Sequence, residues 1–207
     1  MEHVSNAMSP IVLTKALTHL KRKSKIAVLI KKFPKPEFVR GRDPFEALCR
    51  AIVGQQLSVK AAATIYSRFR ALYKELTPKA VAKTKLEKFR SVGLSKQKAS
   101  YVLDLAKKFL DGTVDPKHFH EMTDDAIRAH LVAVKGIGRW TADMFLMFTL
   151  HRPDVLPTGD LGIQKAMQKV FKLRSLPPLE RMEKLAEPWR PYRTVACRYL
   201  WDSLDNA

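Results

Sequence analysis

One short segment carries the clearest chemical signal in this sequence. It reads Val134-Lys135-Gly136-Ile137-Gly138-Arg139-Trp140-Thr141-Ala142, and a lone acid, Asp160, follows its tryptophan by twenty residues. A Gly-apolar-Gly turn that opens a helix leaves backbone N–H groups available and has no Cβ to prevent a close approach. Such a turn can bind phosphate, and the helix dipole strengthens that binding. The segment therefore predicts a phosphate-binding turn, with Asp160 as a candidate for chemistry beside it.

The turn would hold a sugar-phosphate backbone without reading bases, so it would supply affinity and register rather than specificity. A Gly-x-Gly pair also occurs in ordinary tight turns, and its place between two helices is what strengthens the functional interpretation. The residues expected to contact the DNA backbone are Lys135, Gly136, Gly138, Arg139 and Thr141. The carbonyl groups point the other way and could hold a monovalent cation, Na+ or K+, at Val132, Val134 and Ile137.

Asp160 has two interpretations. Because Thr158-Gly159-Asp160 precedes a helix and Asp is a preferred N-cap, its role could be purely structural. Alternatively, a fixed carboxylate could stabilise a sugar that acquires oxocarbenium character when a C–N glycosidic bond breaks, and could orient the attacking water. One such group is typically worth about 3 kcal/mol. Asp143, within an amphipathic helix, and Asp154, beside a proline, are weaker candidates.

Aromatic side chains follow the turn. Trp140, Met144 and Phe148 have the i, i+4, i+8 spacing of one helix stripe, which is typical of a face packed in the core. Trp140, however, begins the helix beside the predicted phosphate site, where a core role is less expected. Trp201 lies on the last helix. The two indoles could enclose a base taken out of the DNA stack, and a cationic base would gain about 1–2 kcal/mol from cation–π attraction.

A polar loop, Gly54-Gln55-Gln56-Leu57-Ser58, joins two predicted helices. It could be an ordinary connection in which Ser58 caps the next helix. It could instead enter the duplex and fill the gap left by a flipped base, as apolar or amide side chains do. The candidates for this wedge are Gln56, Leu57 and Ser58.

The composition narrows the partners. The 207 residues include 38 Lys and Arg against 20 Asp and Glu, a formal charge of +18. This charge favours nucleic acid, with an anionic membrane surface or a ribosomal setting as the alternative. No apolar run is long enough to span a bilayer, and no signal peptide is evident, so no membrane partner is expected. The two cysteines match no metal spacing and indicate an intracellular protein of the cytoplasm or nucleoid, or of the nucleus in a eukaryote.

The elements that must position these residues are all predicted to be helices, because no segment shows a period of two. Capping residues predict helix starts at Asp43, Ser58, Ser95 and Thr123. One or two helices are expected over residues 11–33 and short helical turns over 78–89. The other expected helices cover residues 44–54, 59–73, 96–110, 124–134, 138–150, 161–172 and 192–204, and 177–191 is expected to be a Pro-punctuated stretch. The expected architecture is a bilobal all-α bundle with a helix-hairpin-helix motif and a cleft between the lobes. Residues 1–10 would form a disordered tail, residues 42–113 one lobe, and 11–41 with 114–207 the other.

A second segment, Gly93-Leu94-Ser95-Lys96-Gln97-Lys98-Ala99, has the same spacing of residue types as Gly136 to Ala142. It lacks the second glycine, so it predicts a packing turn, with a phosphate contact from Lys96 or Lys98.

Over residues 42–203 the sequence resembles the helix-hairpin-helix DNA glycosylases, specifically the 3-methyladenine DNA glycosylase II branch. The matching residues are Phe45-Glu46-Ala47-Leu48, Arg50 to Ser58, Gly93-Leu94-Ser95 with Lys98-Ala99, Gly136 to Ala142, and Asp160. The resemblance implies that Asp160 is the catalytic aspartate and that Trp140 and Trp201 line the base pocket. Met144 takes a pocket position that is often Tyr in the family, which affects the range of damaged bases.

The resemblance also implies a reaction. Relatives with lyase activity place at Trp140 a Lys that forms a Schiff base, so this chain is expected to be a monofunctional glycosylase. It would flip alkylated purines such as 3-methyladenine and 7-methylguanine from double-stranded DNA and hydrolyse the N-glycosidic bond, as a monomer without an organic cofactor. The chain is too short for the N-terminal β-rich domain of longer members. The alternatives are a non-enzymatic DNA-binding or damage-sensing protein and a glycosylase for deaminated or oxidised bases.

Overall fold

The computed structural model describes residues 8–23, 25–38 and 43–205, and every regular element in these ranges is helical. The all-α prediction is therefore confirmed. Two short 3₁₀ helices, Pro116–Glu121 and Glu187–Trp189, accompany the α-helices. The α-helices are α1 (Pro10–Lys23), α2 (Ile26–Lys32), α3 (Pro44–Gly54), α4 (Val59–Arg70), α5 (Pro78–Ala82), α6 (Leu86–Ser91), α7 (Lys96–Leu110), α8 (Asp124–Val132), α9 (Arg139–Phe148), α10 (Leu161–Phe171), α11 (Leu179–Ala186) and α12 (Arg193–Asp205).

The predicted caps form as expected. The Asp43 carboxylate accepts from the Glu46 amide at 3.0 Å, and the hydroxyls of Ser58, Ser95 and Thr123 cap α4, α7 and α8 in the same way. Each such cap contributes about 1 kcal/mol. The predicted ends are less accurate, since α4 and α8 stop two or three residues early. Helix α11 was not predicted, because prolines surround its eight residues although none lies inside it.

The described residues form two compact units: unit 1 lies within residues 1–40 and 146–207, and unit 2 lies within residues 41–145. The predicted division is wrong for residues 114–145, which belong with 42–113. Two contacts explain the difference. The His130 imidazole bonds the Thr113 carbonyl at 2.6 Å, and the Lys135 amide donates to Asp104 at 2.8 Å, so this segment is attached to α7 and the chain that follows it.

The prediction of a disordered tail over residues 1–10 is wrong for residues 8–10. Residues 1–7 lie outside the described residues. Met8 is buried and its amide donates to the His151 carbonyl at 2.8 Å, and Pro10 already begins α1.

Each unit has its own apolar core. In unit 1, α10 packs on α12 and α1 on α2, around the buried side chains Leu20, Ile26, Ile163, Met167, Trp189 and Leu200. In unit 2, α3 packs on α4 and α7, and α5 on α7, around Leu48, Ile52, Phe69, Phe89 and Leu105. None of the helices in the described ranges is long and apolar enough to cross a membrane.

Candidate active site

Asp160 in unit 1 is held by two N–H donors. Its Oδ1 accepts from the Ile163 amide at 2.8 Å, which makes it the N-cap of α10, and from the indole Nε1 of Trp201 at 3.0 Å. The cap interpretation is thus correct but incomplete, because a simple cap needs no indole. The two bonds fix the orientation of a half-buried carboxylate. A carboxylate held in this way can face developing positive charge without first reorganising.

Gly162 makes this pairing sterically feasible. A Cβ at this position would lie 3.0 Å from Oδ1 of Asp160 and 3.2 Å from Nε1 of Trp201, both tighter than ordinary contact. The sequence analysis did not single out Gly162. The available signal was a glycine in the first turn of a helix, where it is unfavourable relative to alanine and so requires a packing reason.

An aromatic wall continues from the indole. The Phe148 ring packs at 5.7 Å and 31° to the Trp201 ring, and Phe148 is 41% exposed. The Arg198 guanidinium lies over both Phe148 and Phe38, at 5.4 and 5.9 Å from the ring centroids. Neither Arg198 nor Phe38 was predicted from the sequence. The wall places partly exposed aromatic rings beside the Asp160 carboxylate, which Trp201 contacts directly.

The weaker acidic candidates are structural. Asp143 is buried and accepts from the Arg128 guanidinium at 2.6 Å, and its burial raises the pKa of the carboxyl although the Arg128 hydrogen bond opposes the shift. Asp154 binds the guanidinium groups of Arg193 and Arg190 at 2.7 and 2.9 Å. Both acids therefore serve ion pairs.

The stripe on α9 is not a core face. Trp140 is 49% exposed and Met144 is half-buried, whereas Ala142, Phe145 and Leu146 on the other side of the helix are buried. The core interpretation of the stripe is therefore wrong. The spacing identified the right stripe but could not show which face of the helix is covered.

The hairpin turn in unit 2 connects α8 to α9. Gly136 has φ +81°, and a Cβ there would overlap the Tyr101 ring, so the fold requires glycine. A Cβ at Gly138 would meet no atom within 4 Å. The two glycines therefore differ: one is fixed by packing, and the other borders open space where a ligand can approach.

The predicted backbone contacts of the hairpin are not equally accessible. Gly138, Arg139 and the Lys135 side chain are exposed. The Lys135 amide already donates to Asp104, so this residue is left with its ammonium group for a phosphate. Thr141 is only 6% exposed, so its predicted contact with the DNA backbone has less support than those of the exposed residues.

The loop between α3 and α4 presents two of the three predicted wedge residues. Gln56 has φ +55°, a left-handed conformation that is uncommon for residues other than glycine, and Gln56 and Leu57 are exposed. Ser58 is exposed too, but its hydroxyl accepts from the Ala61 amide at 3.3 Å and caps α4. The following residue, Val59, is 89% exposed and was not predicted as a candidate.

Comparison with known proteins agrees with this geometry. A family model described as the HhH-GPD superfamily base excision DNA repair protein matches residues 49–191. DNA-3-methyladenine glycosylase 1 of Schizosaccharomyces pombe is 32% identical over 197 residues, which are 91% of this chain and 86% of that protein. The alkylbase DNA glycosidase-like protein mag2 of the same organism is 34% identical over 173 residues, 81% of this chain and 79% of that protein.

Solved structures give the same result. The 3-methyladenine DNA glycosylase Mag1 of S. pombe, in complex with abasic DNA, has a TM-score of 0.80 and 30% identity, covering 92% of this chain and 97% of its own. A DNA-3-methyladenine glycosidase from Bacillus halodurans has a TM-score of 0.82 and 32% identity, covering 94% of this chain and 89% of its own. The chain belongs to the HhH-GPD superfamily of base excision DNA repair proteins. The resemblance seen in the sequence is confirmed.

Proposed function

We propose that this protein is a monofunctional DNA glycosylase that flips alkylated purines, such as 3-methyladenine and 7-methylguanine, out of duplex DNA and hydrolyses their N-glycosidic bond. This reaction initiates base excision repair. The observation that carries the proposal is the Asp160 carboxylate, which is fixed by two N–H donors and adjoins the aromatic wall of Trp201 and Phe148. Relatives named for removal of 3-methyladenine support the substrate class.

The chemistry needs little more than this arrangement. Alkylation at N3 or N7 makes a purine cationic, so the base leaves with the bonding electron pair and needs no strong acid. The C1′–N bond breaks, the sugar acquires positive charge, and water adds its oxygen to C1′ while its proton passes to Asp160 or solvent. A preorganised carboxylate stabilises this transition state by about 3 kcal/mol, on the order of a hundredfold in rate.

Aromatic stacking supplies the preference for a cationic base. The π-face of Trp201 has the negative density that attracts a cation, an effect of about 1–2 kcal/mol, whereas Arg198 already lies over the Phe148 ring. Trp140 and Met144 remain predicted contacts of the flipped base, and the exposure of the Trp140 side chain supports this role for Trp140.

DNA binding is assigned to unit 2. Gly138 and Arg139 border open space at the start of α9, where backbone amides and the helix dipole favour phosphate. Gln56 and Leu57 at the loop tip would fill the gap left by the flipped base.

A Na+ or K+ ion could join the hairpin turn to a DNA phosphate through the carbonyls of the hairpin. Val134 already accepts from the Ile137 amide at 3.1 Å, which leaves its second lone pair for the ion, and Val132 ends α8, so its carbonyl has no partner further along that helix.

The absence of lyase activity follows from Trp140. An indole has no nucleophilic amine and cannot form a Schiff base with the sugar, so the product should be an abasic site in an intact strand.

The protein is expected to act as a monomer on one lesion.

The direct test is product identification. Purified protein is incubated with DNA treated with a methylating agent, and the released bases are separated by chromatography. We expect free 3-methyladenine and 7-methylguanine and a strand that breaks only after alkali. Parallel duplexes with uracil or 8-oxoguanine test the rival substrates, and release from those alone would contradict the proposal. Binding to methylated DNA without any release would support the non-enzymatic sensor instead.

A further inference from the structure

One face of α7 contacts both the loop between α3 and α4 and the hairpin turn between α8 and α9, the two segments proposed to bind DNA. Lys98, Tyr101 and Asp104 are spaced by three residues, so they lie along one side of the helix. The Lys98 ammonium donates to the carbonyls of Val53 and Gln55 at 2.8 and 2.6 Å. Further along, the Tyr101 ring lies where a Cβ on Gly136 would be, and Asp104 accepts from the Lys135 amide.

A direct bond also joins the loop to the hairpin. The Gln55 side chain, at the end of α3, donates from Nε2 to the Gly136 carbonyl at 2.7 Å. Gln55 thus has two roles at once, because its own carbonyl is held by Lys98 while its amide group holds the hairpin turn. The next residues along the chain are the exposed tip, Gln56 and Leu57.

The Lys98 contacts are built into the fold. Lys98 donates to carbonyls at the C-terminal end of α3, where the helix dipole favours a cation. Burial lowers the pKa of its ammonium group. Two of the three N–H donors of Lys98 are directed at the loop, so the phosphate contact predicted for Lys96 or Lys98 is better assigned to Lys96. Lys96, two residues earlier, is exposed and keeps that expectation.

We propose that Gln55 is a positioning residue that couples the loop tip to the hairpin turn, so that insertion into damaged DNA and the grip on its backbone strengthen each other. The inference rests on the proposed function, since it needs a duplex with a gap to fill. A flexible loop would lose ordering entropy on insertion, whereas a loop already fixed to the hairpin loses less. Gln55 should therefore increase the preference for a gapped duplex over an intact one.

The test compares two duplexes of the same sequence by fluorescence anisotropy. One carries a tetrahydrofuran abasic analogue and the other is intact, and the ratio of their dissociation constants measures the preference. Gln55→Met keeps the length of the side chain and removes its N–H donors. We expect it to weaken binding of the abasic duplex about five- to tenfold, the effect of losing one hydrogen bond, and to change intact-duplex binding less than about twofold.

The matched control is Tyr73→Phe. It removes the bond between the Tyr73 and Thr84 hydroxyls, 3.0 Å apart and in the same unit, which has no place in the proposed DNA contacts. We expect this variant to keep the wild-type ratio. Should Gln55→Met fail to fold, Lys98→Met releases the same loop from the other side and should lower the ratio in the same way.

The outcomes separate the two proposals. A wild-type protein that binds both duplexes equally would overturn the coupling together with the wedge, whereas the proposed function is decided separately by base release. A wild-type preference that persists unchanged in Gln55→Met, or that Tyr73→Phe lowers equally, would overturn the coupling alone. In the latter case Gln55 would contribute only to general stability.

Discussion

Replacing Trp201 by phenylalanine separates its two assigned roles. The change keeps an aromatic ring against Phe148 but removes the indole N–H that donates to Asp160 at 3.0 Å. The Ile163 amide, 2.8 Å from the same oxygen, still holds the carboxylate at the cap. Trp201→Phe should therefore loosen the orientation of Asp160 without displacing it.

The expected size follows from that single bond. A hydrogen bond to a charged group contributes about 1.5–3 kcal/mol. Because the carboxylate is half-exposed, we take the lower end, which corresponds to about a tenfold loss of rate if the orientation matters mainly in the transition state. Substrate affinity should change less than about threefold, since the stacking surface remains.

The assay is single-turnover base release from a duplex with one 7-methylguanine, at protein concentrations that separate saturating rate from affinity. Phe148→Leu is the comparison, because it removes the neighbouring ring and keeps the indole N–H. It should weaken affinity and preserve the saturating rate. Gly162→Ala inserts a Cβ into the Asp160–Trp201 contact and should reproduce the loss of rate. A Trp201→Phe protein that releases base at the wild-type rate would refute the positioning role of the indole.

Three further predictions concern DNA binding. Gly136→Ala should lower the melting temperature by at least about 2–8 °C, since the left-handed backbone costs about 1–2 kcal/mol before the overlap with Tyr101 is added, whereas Gly138→Ala should melt like the wild type and weaken DNA binding. Equal melting of the two variants in calorimetry would contradict this difference. The logarithm of affinity should fall linearly with the logarithm of salt concentration, with a slope of about −0.9 per neutralised phosphate, and a flat titration would argue against the phosphate contacts. Leu57→Ala should weaken binding to an abasic duplex in anisotropy and leave thermal stability unchanged, because the side chain is exposed; unaltered binding would remove Leu57 from the wedge.

Local rules predicted most of the fold. The caps at Asp43, Ser58, Ser95 and Thr123 depend on residues within one helical turn, so they can be identified without the rest of the chain. The boundary at residue 113 depends on long-range contacts of His130 with Thr113 and of Lys135 with Asp104 on α7. No local pattern contains these contacts, and there the prediction was wrong.

The candidate site shows the same division. The sequence presented the cap and the catalytic role of Asp160 as alternatives, because it could not show that an indole 41 residues away donates to the same oxygen. Likewise, the spacing grouped Trp140 with Met144 but could not show that their stripe is the less buried side of α9. The buried side carries a charged residue, Asp143, and only its hydrogen bond with Arg128 makes that burial possible. The sequence placed Gln55 in the polar loop but gave no sign of its contact with the hairpin, since its partner there is a backbone carbonyl.

The decisive measurement is the rate at which Asp160→Asn releases 3-methyladenine from methylated duplex DNA. Asparagine can still accept the Ile163 amide bond through its side-chain oxygen, so the cap and the fold should persist, but the negative charge is lost. We predict a loss of at least about a hundredfold in single-turnover rate, with affinity for an abasic duplex within about threefold of the wild type. A variant that folds, binds DNA and releases the base as fast as the wild type would contradict the assignment of the carboxylate as the stabiliser of the sugar cation.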